Sequence, residues 1–202
     1  MKTVALIGLI LASTGAASAA TIQNGSFEDP GTFSGNWQTQ RAGSNGLPGW
    51  TIGGAGVDLI GNYWGASEGN YSLDMSAGRA GSLSTTISDL VAGQAYFLTF
   101  DMAANSAGGN KVKSLSVIVD GVAKDYSFDS TGKSRLDMGW ETRTFRFVAT
   151  SDTASLTLRS NENNAYGAAL DNVQVSAVPL PAAGFALGLG LLSFGGLRAR
   201  RG

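Results

Sequence analysis

Residues 114–128 read SLSVIVDGVAKDYSF. Leu115, Val117 and Val119 alternate with Ser114 and Ser116. That period of two makes one face of an extended strand apolar and the other polar. Asp120-Gly121 then separates this run from a second one. A two-residue Asp-Gly link between such runs signals a tight β-hairpin, because glycine accepts the positive φ the turn demands. The same alternation recurs downstream. Phe145 and Phe147 alternate with Thr144 and Arg146, and Leu156 and Leu158 with Thr157 and Arg159. These are half-buried antiparallel strands.

Working outward, β-rich runs separated by Gly, Asn, Ser and Asp predict further strands. The expected set is 21–27, 50–52, 57–60, 71–75, 81–88, 96–103, 114–120, 122–128, 142–149, 154–160 and 168–176. No stretch between residues 21 and 177 keeps helical spacing over three turns. Many short strands without helices in one domain imply an all-β fold, a two-sheet antiparallel sandwich of jelly-roll type. The connections at 30–36, 41–49, 61–70, 105–113 and 161–167 are rich in glycine. The third places Tyr63 and Trp64 between glycines.

The two ends of the 202-residue chain read differently from this body. Met1-Lys2 is followed by an apolar run from Val4 to Ala12 and then by small residues through Ala20. Ala17-Ser18-Ala19 fits the small-x-small rule of signal peptidase, with cleavage after Ala19 or Ala20. The run falls short of the about 20 apolar residues a bilayer crossing needs. Residues 1–20 are therefore expected to be an export signal that uses the Sec machinery and signal peptidase. At the other end Val178, Pro179, Leu180, Pro181 and Ala182 open a segment with an uncharged apolar run over 183–197 and a basic close over 198–201. Such a run is expected to be a hydrophobic helix in the membrane, with its arginines on the cytoplasmic side.

Composition narrows the chemistry of the body, 21–177. All 15 acidic residues lie there, whereas Lys2, Arg198, Arg200 and Arg201 of the 14 basic residues do not. The body is thus acidic, with a net charge of about −5, and nucleic acid is not expected as a partner because binding it needs a basic face. The chain has no Cys and no His. This excludes Ser-His-Asp and Cys-His catalysis and histidine-ligated zinc, leaving carboxylate chemistry and less common lysine- or tyrosine-based schemes. Asp58, Asp74 and Asp101 lie near expected strand ends, where aspartates commonly serve as turn residues. No enzyme activity is expected.

The motifs carry two family resemblances. The order of pentapeptide, apolar run and basic cluster over Val178–Gly202 resembles the bacterial PEP-CTERM class of sorting signals in its VPLPA variant. That resemblance implies an exosortase-type protease as partner, cleavage near Pro181-Ala182, transient anchoring by the C-terminal helix, and a final place at the cell surface or in the medium. In the body, Asn24-Gly25-Ser26-Phe27-Glu28, Leu47-Pro48-Gly49-Trp50, Val57-Asp58-Leu59, Gly69-Asn70-Tyr71-Ser72-Leu73-Asp74, Leu98-Thr99-Phe100-Asp101, Gly139-Trp140 and Ala169-Leu170-Asp171-Asn172-Val173 follow one another. This order resembles the choice-of-anchor C family, whose members carry a galactose-binding-like jelly roll. The resemblance implies fold and surface address and supplies no ligand or reaction.

Two site expectations follow. Similar carbohydrate-binding jelly rolls hold a structural Ca²⁺ between a Phe-Glu near the first strand and an Asp near the last, which here are Glu28 and Asp171. Calcium takes several carboxylate and carbonyl oxygens, and Glu68 and Asn70 are secondary candidates. The other reading is that both carboxylates are solvated or paired. For sugar, Tyr63 and Trp64 are the candidates, since a flat ring stacks on the C–H face of a pyranose. The alternative is that Trp64 folds back and caps the sandwich. Trp50 and Trp140 are expected in the core, and Trp37 is left open. The expected function is a non-catalytic surface module associated with extracellular polysaccharide. The alternatives are a structural matrix protein without a specific ligand, or a carboxylate-based glycan hydrolase.

Overall fold

The computed structural model describes residues 19–179. The expected signal segment through residue 18, and the tail from Leu180 with its apolar and basic parts, lie outside the described residues. The described chain forms two antiparallel sheets. One contains β1 (Trp37–Gln40), β3 (Val57–Ile60), β4 (Ser72–Asp74), β11 (Ala168–Ala177), β6 (Ala95–Ala104) and β9 (Glu141–Val148), in that spatial order. The other contains β2 (Thr51–Gly54), β5 (Gly81–Ile87), β10 (Ala154–Ser160), β7 (Val112–Val119) and β8 (Val122–Asp129). The expected all-β sandwich of jelly-roll type is the observed architecture. Among the described residues no helix is long and apolar enough to cross a membrane.

The hairpin that decided the fold is β7–β8, with Val119 paired to Val122 around the two-residue turn. Asp120 and Gly121 have φ of 45° and 81°. Positive φ at both turn residues matches the right-handed strand twist. Asp120 also ties the turn to β10, since its Oδ1 accepts the Ser155 N–H at 2.8 Å. Leu156 and Leu158 lie opposite Val119 and Val117, with Leu83 beyond Leu158. Across the sandwich, Leu59, Leu73, Leu170 and Met102 form one row over four neighbouring strands. All of these side chains are buried. Each stabilises the fold by about 1.5–3 kcal/mol relative to exposure. Phe100 meets Tyr126 edge-on at 5.1 Å and joins the two sheets.

Three expectations need correction. Residues 21–27 are not a strand. Thr21 makes one isolated bridge to Ser88, and the chain then turns. Asn24 and Phe27 have φ of 51° and 60°. The turn is held because Asn24 bonds the Asp29 backbone through both ends of its amide, while the Trp50 indole donates to Asn24 O. Gly25 presses against β11, where an added Cβ would lie 2.0 Å from Val173 O. Second, residues 37–40 form β1, an edge strand that alternation did not show. Third, Asp58, Asp74 and Asp101 are not turn residues. Asp58 is the second residue of β3, Asp74 closes β4, and Asp101 lies inside β6. The remaining strands begin and end within two residues of expectation.

Candidate functional site

The row of leucines on the six-stranded sheet implies that the neighbouring positions face the other way. On that face Asp58 lies directly opposite Asp74, and Asp101 directly opposite Asp171. Asp74 and Asp171 are fully buried there. The 61–70 loop lies over them. Asp171 accepts the Ser67 and Glu68 N–H groups at 2.8 and 3.0 Å, and the Asn172 N–H at 2.6 Å. Asp101 accepts the hydroxyls of Thr142 and Ser67 and the amide of Asn172. Glu28 accepts the Asn70 and Tyr71 N–H groups, both at 2.8 Å. Gly69 must be glycine: its φ is +62°, and a Cβ would fall 2.3 Å from the Glu28 carboxyl carbon. Asn172, at φ 50°, sits in the register shift between Asp171 and Gln174, so the strand alternation breaks just after Asp171.

Glu28 and Asp171 are thus brought to the two ends of one segment, 67–71, which they hold through N–H donors. The lone pairs expected to face a cation face protons instead, and no cluster of three or more acidic side chains suited to a metal forms among the described residues. The arrangement satisfies the buried Asp171 and the half-buried Glu28 with hydrogen bonds. Melting of the purified protein is accordingly expected at the same temperature in calcium and in chelator. A rise of several degrees with calcium would restore the metal.

The same loop builds a cleft. Trp64 is only 4% exposed and donates its indole N–H to Ser72 Oγ at 2.9 Å. Of the two readings of Trp64, the folded-back one is observed. Tyr63 lies against it, with ring centroids 5.5 Å apart. Arg135 covers the Tyr63 ring at 4.5 Å, and the Trp140 indole donates to Gly65 O at 3.0 Å, so the 130–140 loop straps this wall in place. Beside the wall is a hollow of about 170 Å³, which Trp37, Asp58, Tyr63, Trp64, Asp74 and Tyr166 help to line. Trp37 is 51% exposed and Tyr166 37%. Two open rings therefore flank a floor containing two carboxylates.

That floor is electrostatically unusual. Burial pushes the Asp74 carboxyl up to about 7, and the Asp58 charge opposite pushes the same way. Burial likewise raises Asp58. Asp171 is pushed up to about 7 by burial, with Asp101 adding to it. A folded-state value above the unfolded one means that the native protein holds protons the unfolded chain releases. Stability from Asp74 and Asp171 is complete near pH 4 and is lost as pH rises through about 7, and Asp58 acts in the same direction. The protein is expected to melt higher at pH 5 than at pH 8, with a flatter profile in Asp74→Asn. Equal melting at both pH values would contradict this.

A larger groove of about 610 Å³ lies between the N-terminal segment and the β2–β5 face, lined largely by hydroxyls such as those of Thr21, Ser84 and Thr86. Its one ring, Trp50, is buried and donates its indole N–H to Asn24 O. It offers no open aromatic face, so the smaller cleft is the better sugar site. Sequence reasoning named Tyr63 and Trp64 but missed Trp37, Tyr166, Asp58 and Asp74 as parts of it.

The protein is thus a two-sheet jelly-roll sandwich whose six-stranded sheet carries an aromatic cleft floored by carboxylates. The chain belongs to the family described as protein of unknown function (DUF642), whose model matches residues 20–176. The structure of TmCBM61 in complex with β-1,4-galactotriose is similar, with a TM-score of 0.53 at 16% identity over 80% of this chain and all of that one. The CBM22-1 xylan-binding domain of Paenibacillus barcinonensis Xyn10C gives 0.47 at 17% identity over 72% of this chain and 94% of that one. In sequence, the chain is 31% identical to halomucin of Haloquadratum walsbyi over 180 residues. That match covers 85% of this chain and 2% of halomucin's length.

Proposed function

We propose that this protein is a non-catalytic carbohydrate-binding module exported to the cell envelope, and that the cleft between Trp37 and Tyr166 is its sugar site. The observation that carries the reading is the pair of open rings beside an under-solvated carboxylate. Stacking on the rings and hydrogen bonds to the carboxylate are the two contacts a pyranose needs. The fold shared with carbohydrate-binding modules supports it. Screening the purified protein on a glycan array that includes β-1,4-galactotriose tests it. Binding that disappears in Trp37→Ala is expected, and binding indifferent to Trp37 would move the site elsewhere.

Export rests on the sequence patterns at both ends. The family match begins at residue 20, and among the described residues the first backbone bonds to the sandwich are made by Thr21, which suits removal of the residues before it. The tail from Val178 is proposed as a VPLPA-type PEP-CTERM signal of a choice-of-anchor C protein, processed by an exosortase-type protease. The intact mass of the exported protein is expected to lack residues 1–19 or 1–20. Mature protein still carrying Met1 would contradict this.

A second reading draws on one specific feature. Asp58 and Asp74 lie opposite each other on neighbouring strands, and burial pushes both carboxyls up from the usual range; glycan hydrolases use paired carboxyls, one of them held protonated. Release of reducing ends from a glycan that binds the cleft would establish it. The hydrogen bonds that surround Asp74 favour binding over proton transfer.

A further inference from the structure

We infer that the cleft selects a sugar bearing a free amine, a 2-amino-2-deoxyhexose unit in its ammonium form, over neutral, N-acetylated or acidic sugars. This deepens the proposed function and rests on it. The argument begins with which polar atoms in the cleft remain unpaired. Asn105 is spent: its amide donates to Asp74 Oδ2 at 2.8 Å, and its oxygen accepts the Ala107 N–H. Asp74 is spent as well, because its Oδ1 accepts the Ser76 and Gly167 N–H groups. Asp58 differs. Its Oδ1 accepts the Thr39 hydroxyl at 2.6 Å, while its Oδ2 accepts no hydrogen bond among the described residues. Asp58, half-buried in the lining of the cleft, therefore keeps one carboxylate oxygen without a partner among the described residues, with a second carboxylate directly across the strand pair.

No cation among the described residues lines the cleft. Lys113 is buried under the rim, with its Nζ bonded to Gly108 O and 5.9 Å from the Tyr166 ring. Arg135 is occupied over Tyr63. A ligand ammonium would supply the donor that Asp58 Oδ2 lacks and relieve the repulsion between the opposed carboxylates. It would also meet aromatic faces, which attract cations through their quadrupole. An N-acetylated sugar loses the charge, and a uronic acid would bring a third carboxylate to the pair. At about 170 Å³ the hollow is well below the usual range of ligand pockets, so it reads one sugar unit of a chain.

The test is calorimetric titration of the purified protein with a β-1,4-linked glucosamine trimer, its fully N-acetylated counterpart and a galacturonic acid trimer. A hydrogen bond to a charged group predicts that the glucosamine trimer binds about tenfold more tightly than the N-acetylated one. In Asp58→Asn the two trimers should become nearly equal, and in Trp37→Ala the glucosamine trimer should be lost. Equal or tighter binding of the N-acetylated or acidic trimer, abolished by Trp37→Ala, would overturn the amine preference while leaving the sugar site standing. Glucosamine binding that survives Trp37→Ala would reduce it to attraction by an acidic surface and overturn the inference. If none of the three trimers binds and the glycan array is also blank, the sugar site falls with it.

Discussion

Trp64→Ala is expected to destabilise the protein by about 3–5 kcal/mol, the range for removing a large aromatic from a packed interior. Trp64 is buried against β3 and β4, and its indole N–H is the hydrogen-bond partner of Ser72 Oγ. Truncation leaves a cavity, an unpaired buried hydroxyl, and Tyr63 without the ring it rests on. It also opens the floor of the cleft to water, so the Asp74 carboxyl, pushed up by burial, should relax towards an ordinary carboxylate. A domain of this size is stabilised by about 5–15 kcal/mol in all. At about 2–4 °C per kcal/mol, melting should fall by roughly 10 °C. A loss below about 1 kcal/mol would show that the indole is not a structural wall. The residue whose placement in a Gly-rich loop suggested an exposed ligand contact is therefore the wrong one to use as a binding probe.

Trp37→Ala is expected to do the reverse. Half of this side chain is open to solvent on an edge strand, and surface changes of that kind shift stability by about 0.5 kcal/mol or less. Binding should suffer, because stacking on a ring contributes on the order of 1 kcal/mol beyond the area it buries. Affinity for a glycan that binds the wild type should fall roughly fivefold to tenfold, which takes a weak interaction out of reach of an array. Melting temperature and β-sheet circular dichroism should stay put. Joint loss of fold and binding would mean that Trp37 supports β1 instead of meeting ligand.

The contrast between these tryptophans shows where sequence reasoning reached its limit. Alternation made β7, β8, β9 and β10 legible, since each buries one apolar face against the opposite sheet. It failed at β1, where WQTQ buries Gln40 in place of an apolar residue. It failed at 21–27 because the turn there, with positive φ at Asn24 and Phe27, is held by long-range contacts with Pro48, Trp50 and Val173 that no local pattern reports. The site was harder still. Asp58, Asp74 and Asp101 read in sequence as turn residues near strand ends, because their place on a sheet face depends on the 61–70 loop folding over the sheet. Glu28 and Asp171, expected to share a metal, hold the two ends of one backbone segment. Their link is a shared grip on the 67–71 backbone, which looks in sequence the same as a shared metal. Trp37 and Tyr166 are far apart in the chain, and only the sheet order brings them to one cleft.

The four tryptophans provide a direct readout of the central claim. Their indole N–H groups give four separate signals in a nitrogen–proton correlation spectrum. Trp37 and Trp64 line the cleft, Trp50 lines the hydroxyl groove, and Trp140 is held to the strap. Titrating the purified protein with the glycan found on the array should move the Trp37 signal most and Trp64 next, leaving Trp50 and Trp140 in place. Movement of Trp50 with Trp37 unchanged would put the ligand in the groove on the other sheet and contradict the site assigned here.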